Sequence, residues 1–115
     1  MALPVKNFSN CVAVRLPERI DMVLSTSIEK ELLEILKNDK NSHVILNMED
    51  VKVLTSSGLR VLITAKRKLK AENRDLVLCD IRDEGIYETF NVSRLFDVIK
   101  AYPTEDEAVK SLEGC

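Results

Sequence analysis

Tryptophan is absent from the 115-residue sequence and aromatic residues make up only 4% of it, so any core must be aliphatic, built from Val, Leu and Ile. Histidine occurs once, at His43, where it opens an apolar run without a cysteine or serine partner that spacing identifies. A structural or solvent-exposed role is expected of it, and Ser-His or Cys-His hydrolytic machinery is hard to assemble. Glycine is scarce too: a single one, Gly58, stands at the strand-to-helix corner described below, and the first lysine, Lys66, follows two turns later. That is not the G-x-x-x-x-G-K-[ST] loop that cradles phosphates, and no dinucleotide fingerprint is present. Cys11, Cys79 and Cys115 are odd in number, far apart and in no metal-ligand spacing. Cys11 and Cys79 lie in apolar runs and read as buried, reduced thiols, with Cys115 inert.

Charge of one sign is also lacking. Lys and Arg number 17 against 19 Asp and Glu, for a net charge of −2. A dedicated nucleic-acid binder shows a marked basic excess or stripe. No apolar run approaches the ~20 residues that cross a bilayer, and "MALPVKNFSN" lacks the charged start and long apolar stretch of a signal peptide. A cytoplasmic protein with no membrane insertion is expected. The acidic residues show no metal-binding spacing, so no metal or cofactor is expected either. Glu49 and Asp50 read as solvated turn residues.

What is present is an alternation of strands and helices, with a length suited to one domain, 1–115. "ALPVK" (2–6) predicts a short first strand, confined to an edge by Pro4. "CVAVRL" (11–16) predicts a strand with Val12, Val14 and Leu16 on one face. A helix follows, with Thr26 and Glu29 spaced as a capping box and Ile28, Leu32, Ile35 and Leu36 in one stripe; the cluster 38–42 ends it. "HVILNM" (43–48) and "DLVLCD" (75–80) are near-continuous apolar runs, as expected of strands covered on both faces. Between them, residues 56–71 predict a second helix with Leu59, Leu62, Ile63 and Leu69 inward and its basic residues outward. "DEGIYETFN" (83–91) predicts a short helix, interrupted or started late by Gly85. "DVIKAY" (97–102) predicts a last strand, and residues 103–114 a closing helix capped by Thr104 and Glu107, with Ala108, Val109 and Leu112 inward. The order β-β-α-β-α-β-α-β-α implies an α/β fold with a partly parallel sheet and right-handed crossovers.

The stretch "VKVLTSSGLRVLITAKRKLK" (51–70) sets Thr55, Ser56, Ser57 and Gly58 in a row at the front of the second helix. One reading is a cap, in which Thr55 or Ser56 accepts a bond from an orphan amide, worth about 1 kcal/mol. The other is a surface that is modified or bound. A cap needs neither three hydroxyls nor a helix-weakening glycine, whereas Gly58 would let another molecule's backbone approach closely.

"VILNMEDVKVLTSSGLRVLITAKRKL" resembles the central segment of STAS domains, the fold of bacterial anti-sigma factor antagonists: an apolar strand, a loop, then an Asp-Ser-Ser-Gly-Leu type motif opening a helix. "LVLCDI" and "NVSRLFDVIKAYPTEDEAVKSL" are similar to the family's later strand and final segment, so the resemblance covers nearly the whole chain. It implies a small, mixed, mostly parallel sheet of four to five strands with about four helices packed mainly on one face. It implies an antagonist, not an enzyme, that binds its anti-sigma factor when unphosphorylated, so releasing a sigma factor, and is switched off by phosphorylation of its first motif serine, here Ser56. The partners implied are an anti-sigma factor that is itself a serine kinase, and a serine phosphatase. Thr55 stands where Asp is common, which removes a negative charge beside the serine; Ser57 and Thr55 are the other possible acceptors. Thr55, Ser57, Gly58 and Arg60 are the expected partner contacts. Arg60, Lys66, Arg67, Lys68 and Lys70 would give this helix a basic outer face that could steer an acidic partner. A monomer or weak dimer is expected. The rival implied by the same resemblance is a STAS subunit of another assembly, a signalling scaffold or a lipid-transport complex.

Overall fold

Three aliphatic runs form the centre of the sheet. In the computed structural model, which describes residues 3–38 and 42–113, they are β2 (Cys11–Arg15), β4 (His43–Asn47) and β6 (Leu76–Cys79). With β1 (Val5–Asn7) and β7 (Ala101–Tyr102) they make a five-stranded sheet in the order β1-β2-β4-β6-β7. β1 pairs antiparallel to β2, and every other pair is parallel. The crossovers β2→β4→β6→β7 all advance in one direction, and right-handed connections of that kind put their helices on one face. α1 (Ser25–Asn38), α2 (Ser56–Ala71) and α3 (Glu84–Val92) accordingly share one aliphatic cluster with Val12, Val14, Val44, Leu46, Leu76 and Leu78.

The alternate residues of the same strands, Cys11, Ala13, Ile45, Val77 and Cys79, face the other way. They are covered by α4 (Glu105–Leu112) through Ala108 and Leu112. Both faces of the central strands are therefore dry, which is why these runs do not alternate with polar residues. Burial raises the pKa of both Cys11 and Cys79, keeping them as neutral small hydrophobes. Cys115 and residues 39–41, part of the cluster expected to end the first helix, lie outside the described residues.

Several expectations are corrected in detail. The first helix is not capped by a Thr26–Glu29 box. Asp21 does this instead: its Oδ1 accepts from the amides of Val23 (3.1 Å) and Leu24 (3.0 Å), so the helical path begins before Ser25. The Leu24 amide, with help from Arg19, holds the Asp21 carboxyl below its usual range. A carboxyl whose folded pKa is depressed contributes stability above its unfolded pKa and loses it as pH falls through the folded one. Asp21→Ala is therefore expected to melt at lower temperature than the parent near neutral pH. In thermal melts carried into acid, that difference should narrow.

α3 starts ahead of Gly85 because the Asp83 carboxylate accepts from Ile86 N at 3.0 Å. The predicted strand at 97–102 shrinks to Ala101–Tyr102, because Arg94 adopts a left-handed φ of 62° that closes α3 and opens a 3-10 turn, Leu95–Asp97. Thr104 does cap α4, accepting from Glu107 N at 3.2 Å. Two short strands had no sequence signal: β3 (Arg19–Ile20) and β5 (Val53–Leu54) pair in parallel as a separate two-stranded sheet.

Candidate functional site

The front of α2 is built on that small sheet. β5 leads into Thr55, whose backbone amide and hydroxyl both donate to Ile20 O, at 3.1 and 3.3 Å. Thr55 occupies the N-cap position with extended backbone, but its side chain makes no capping bond to the helix. The expected hydroxyl cap is thus corrected. Thr55 is turned back onto β3, and the first helix bond is Leu59 N to Thr55 O at 2.9 Å. The first turn contains no acidic residue, so the positive end of the helix dipole is not compensated from within that turn.

Thr55, Ser56 and Arg60 are exposed, and Ser57 is half-buried. Gly58 departs from its expected role as a partner contact: it is buried. A Cβ at that position would stand 2.4 Å from Ile20 O, 2.7 Å from Leu54 Cδ1 and 2.8 Å from Ile20 Cγ2. The close approach that demands glycine is made by β3 of the same chain.

The inward face of α2 is also rotated from the expected one. Gly58, Val61, Leu62, Ala65 and Leu69 are buried, while Leu59 and Ile63 are half-buried. The basic face loses a member, because Lys66 folds back to donate to Asp75 Oδ1 (2.7 Å) and Leu76 O (3.2 Å). Partial burial pushes the Asp75 carboxyl up, but Lys66 outweighs it and leaves the group below its usual range. Lys68 pairs with Glu72 at 3.3 Å. Arg60, Arg67 and Lys70 remain exposed, without an ion pair among the described residues.

Two side chains near this corner escaped sequence reasoning. Met22 and Val23, in the turn after β3, are 76% and 79% exposed. Asp21 pins their turn, and the β3–β5 pairing ties it to the base of α2. The only sequence hint was an apolar pair ahead of a helix already assigned a different start.

The remaining polar candidates are structural. Asp75 N donates to His43 Nδ1 at 2.9 Å, tying the start of β4 to the entry of β6. Glu49 and Asp50 are exposed, yet they are more than solvated turn residues. Both take Arg15 at the end of β2, Asp50 Oδ2 at 2.6 Å, and the guanidinium lowers the Asp50 pKa. No group of His, Cys, Asp and Glu among the described residues could hold a metal ion, and no described helix is long and apolar enough to cross a membrane.

One family model, described as the STAS domain, matches residues 2–108 of the chain. The chain belongs to the STAS domain family. Its relatives include an anti-sigma F factor antagonist of Paenibacillus polymyxa, 20% identical over 113 residues and covering 98% of this chain and 96% of that one. The anti-sigma factor antagonist SpoIIAA in its unphosphorylated form superposes with a TM-score of 0.79 at 21% identity, covering 99% of this STAS chain and 98% of the other. The Bacillus cell fate determinant SpoIIAA in its phosphorylated form gives a TM-score of 0.72 at 20% identity, covering 97% and 100%. The mixed sheet and the helices stacked mainly on one side are thus those of the STAS fold.

Proposed function

We propose that this STAS chain is a cytoplasmic anti-sigma factor antagonist that binds an anti-sigma serine kinase through the front of α2 and is switched off by phosphorylation of Ser56. The observation that carries the reading is an exposed serine on an uncapped helix front, at the motif position where the family resemblance puts the acceptor. Relatives named as anti-sigma factor antagonists, one described in both phosphorylated and unphosphorylated forms, support it.

In the reaction, the Ser56 hydroxyl oxygen attacks the γ-phosphorus of ATP held by the kinase. The bond to the β,γ-bridging oxygen breaks, ADP leaves, and the serine proton passes to the kinase's base. Metal, base and nucleotide site all belong to the partner, so this chain supplies a reachable nucleophile and nothing else. The phosphoserine brings about −1.5 to −2 charge to one spot. Free amides and the helix dipole tolerate it on this side of the contact. A partner packed over the corner would have to desolvate it, so the complex separates while the fold stays intact. Met22 and Val23 extend the proposed face with apolar surface, and Arg60, Arg67 and Lys70, the exposed cations of α2 without an ion pair among the described residues, supply the steering charge.

Incubating wild type and Ser56→Ala with the cognate kinase and ATP, followed by mass spectrometry, tests the site. One added phosphate on wild type and none on Ser56→Ala is expected. Undiminished label in Ser56→Ala would move the acceptor to Ser57 or Thr55. If no kinase of the source organism labels either protein, the scaffold or transport-subunit reading replaces this one.

A further inference from the structure

The chain has five aromatic residues in all, and three of them, Tyr87, Phe96 and Tyr102, line a single cleft of about 520 Å³. It lies beyond the carboxyl end of β6, between α3, the 3-10 turn and β7, with Ile81 in its wall. The Tyr87 and Phe96 rings meet at 5.0 Å, and Phe90 stacks behind Phe96 at 5.4 Å. Phe90 is fully buried, but Tyr87 is 52% exposed, and Phe96 and Tyr102 are only half-buried. An aliphatic core has therefore taken in one ring of this group and left three facing an opening. A volume in the range of roughly 300–1,000 Å³, apolar walls and a few polar groups are what small-molecule sites have in common. The crevice outside the carboxyl ends of parallel strands is where α/β folds place ligands.

The charges around the cleft choose the ligand. Its lining includes Arg82 and Lys100 and no carboxylate. Arg82 is already held, by Asp80 at 2.7 Å and Glu49 at 3.8 Å. Lys100 is exposed and has no ion pair among the described residues. The geometry points to a binding site for a small aromatic carboxylate, its ring against Tyr87, Phe96 and Tyr102 and its carboxylate on Lys100. Offset and edge-to-face contacts favour an aromatic guest over an aliphatic one, and the lysine separates an anion from its neutral isostere. The site shares no residue with the Ser56 corner and stands whether or not that serine is phosphorylated.

The test is a titration of the isotope-labelled full chain with 2-naphthoate and with neutral 2-naphthamide, followed by amide NMR. Saturable shifts concentrated at Ile81, Tyr87, Phe96 and Ala101 are expected, with 2-naphthamide binding about tenfold more weakly. Lys100→Glu should weaken 2-naphthoate by about tenfold or more and leave the rest of the spectrum in place. Tyr87→Ala, also at an exposed position, should weaken both probes. Shifts that fail to saturate or scatter over the surface, equal binding of acid and amide, or an unaffected Lys100→Glu would each overturn the assignment.

Discussion

Gly58→Ala is expected to lower the melting temperature by about 5 °C. Alanine would ordinarily stabilise a helix by about 1 kcal/mol over glycine. Here its methyl would sit 2.4 Å from the carbonyl oxygen of Ile20, with Leu54 Cδ1 and Ile20 Cγ2 both inside 3 Å. The nearest atom is backbone, already accepting from Thr55 N, and a rotamer change cannot move it. Overpacking of this kind costs about 1–3 kcal/mol and sometimes more, so the clash outweighs the propensity gain. The damage should be local before it is global: amide exchange at Val53 and Thr55 should rise first, because their bonds to Glu18 O and Ile20 O must open to admit the methyl. Circular dichroism melts and hydrogen exchange together check this. A variant as stable as its parent would mean that β3 yields without cost.

Ser56→Asp is expected to weaken binding to the anti-sigma kinase proposed as partner by about 100-fold or more while shifting the melting temperature by no more than about 2 °C. The asymmetry comes from where the charge sits. On the free protein an aspartate at the first position of α2 faces exposed amides and a favourable dipole end. In a complex it would be stripped of water opposite a surface that fits a neutral hydroxyl. Ser56→Ala should keep most of the affinity. Titration calorimetry on the three proteins measures the contrast, and Ser56→Asp binding as tightly as wild type would remove Ser56 from the interface.

The central strands were readable from residues alone, because burial on both faces writes itself as unbroken Val, Ile and Leu. The helices were readable as elements but less so as oriented objects. In α2 the larger Leu59 and Ile63 suggested one inward face, whereas Val61 and Ala65 take the buried positions. Small residues there let the helix sit close to the sheet, a preference that side-chain size along a helix cannot reveal. β3 and β5 are two residues each, too short for any period, and exist only through pairing with each other and the backing of α2. Their invisibility in sequence hides what Gly58 packs against. Without β3 in view, Gly58 looked reserved for a visitor, when its neighbour is Ile20. The aromatic cleft was equally illegible: Tyr87, Phe96 and Tyr102 belong to three separate elements that only the last crossover brings together.

The two borders of the sheet bear on how the protein behaves when crowded. On one side β1 is three residues long, preceded by Pro4 and carrying Lys6, which bridges to Glu105 at 3.1 Å. On the other, β7 offers only Ala101 and Tyr102. Neither flank presents enough free backbone to template a foreign strand. Concentrated solutions should therefore resist fibril growth even though the interior strands, once unfolded, are rich in the aliphatic sequences that feed it.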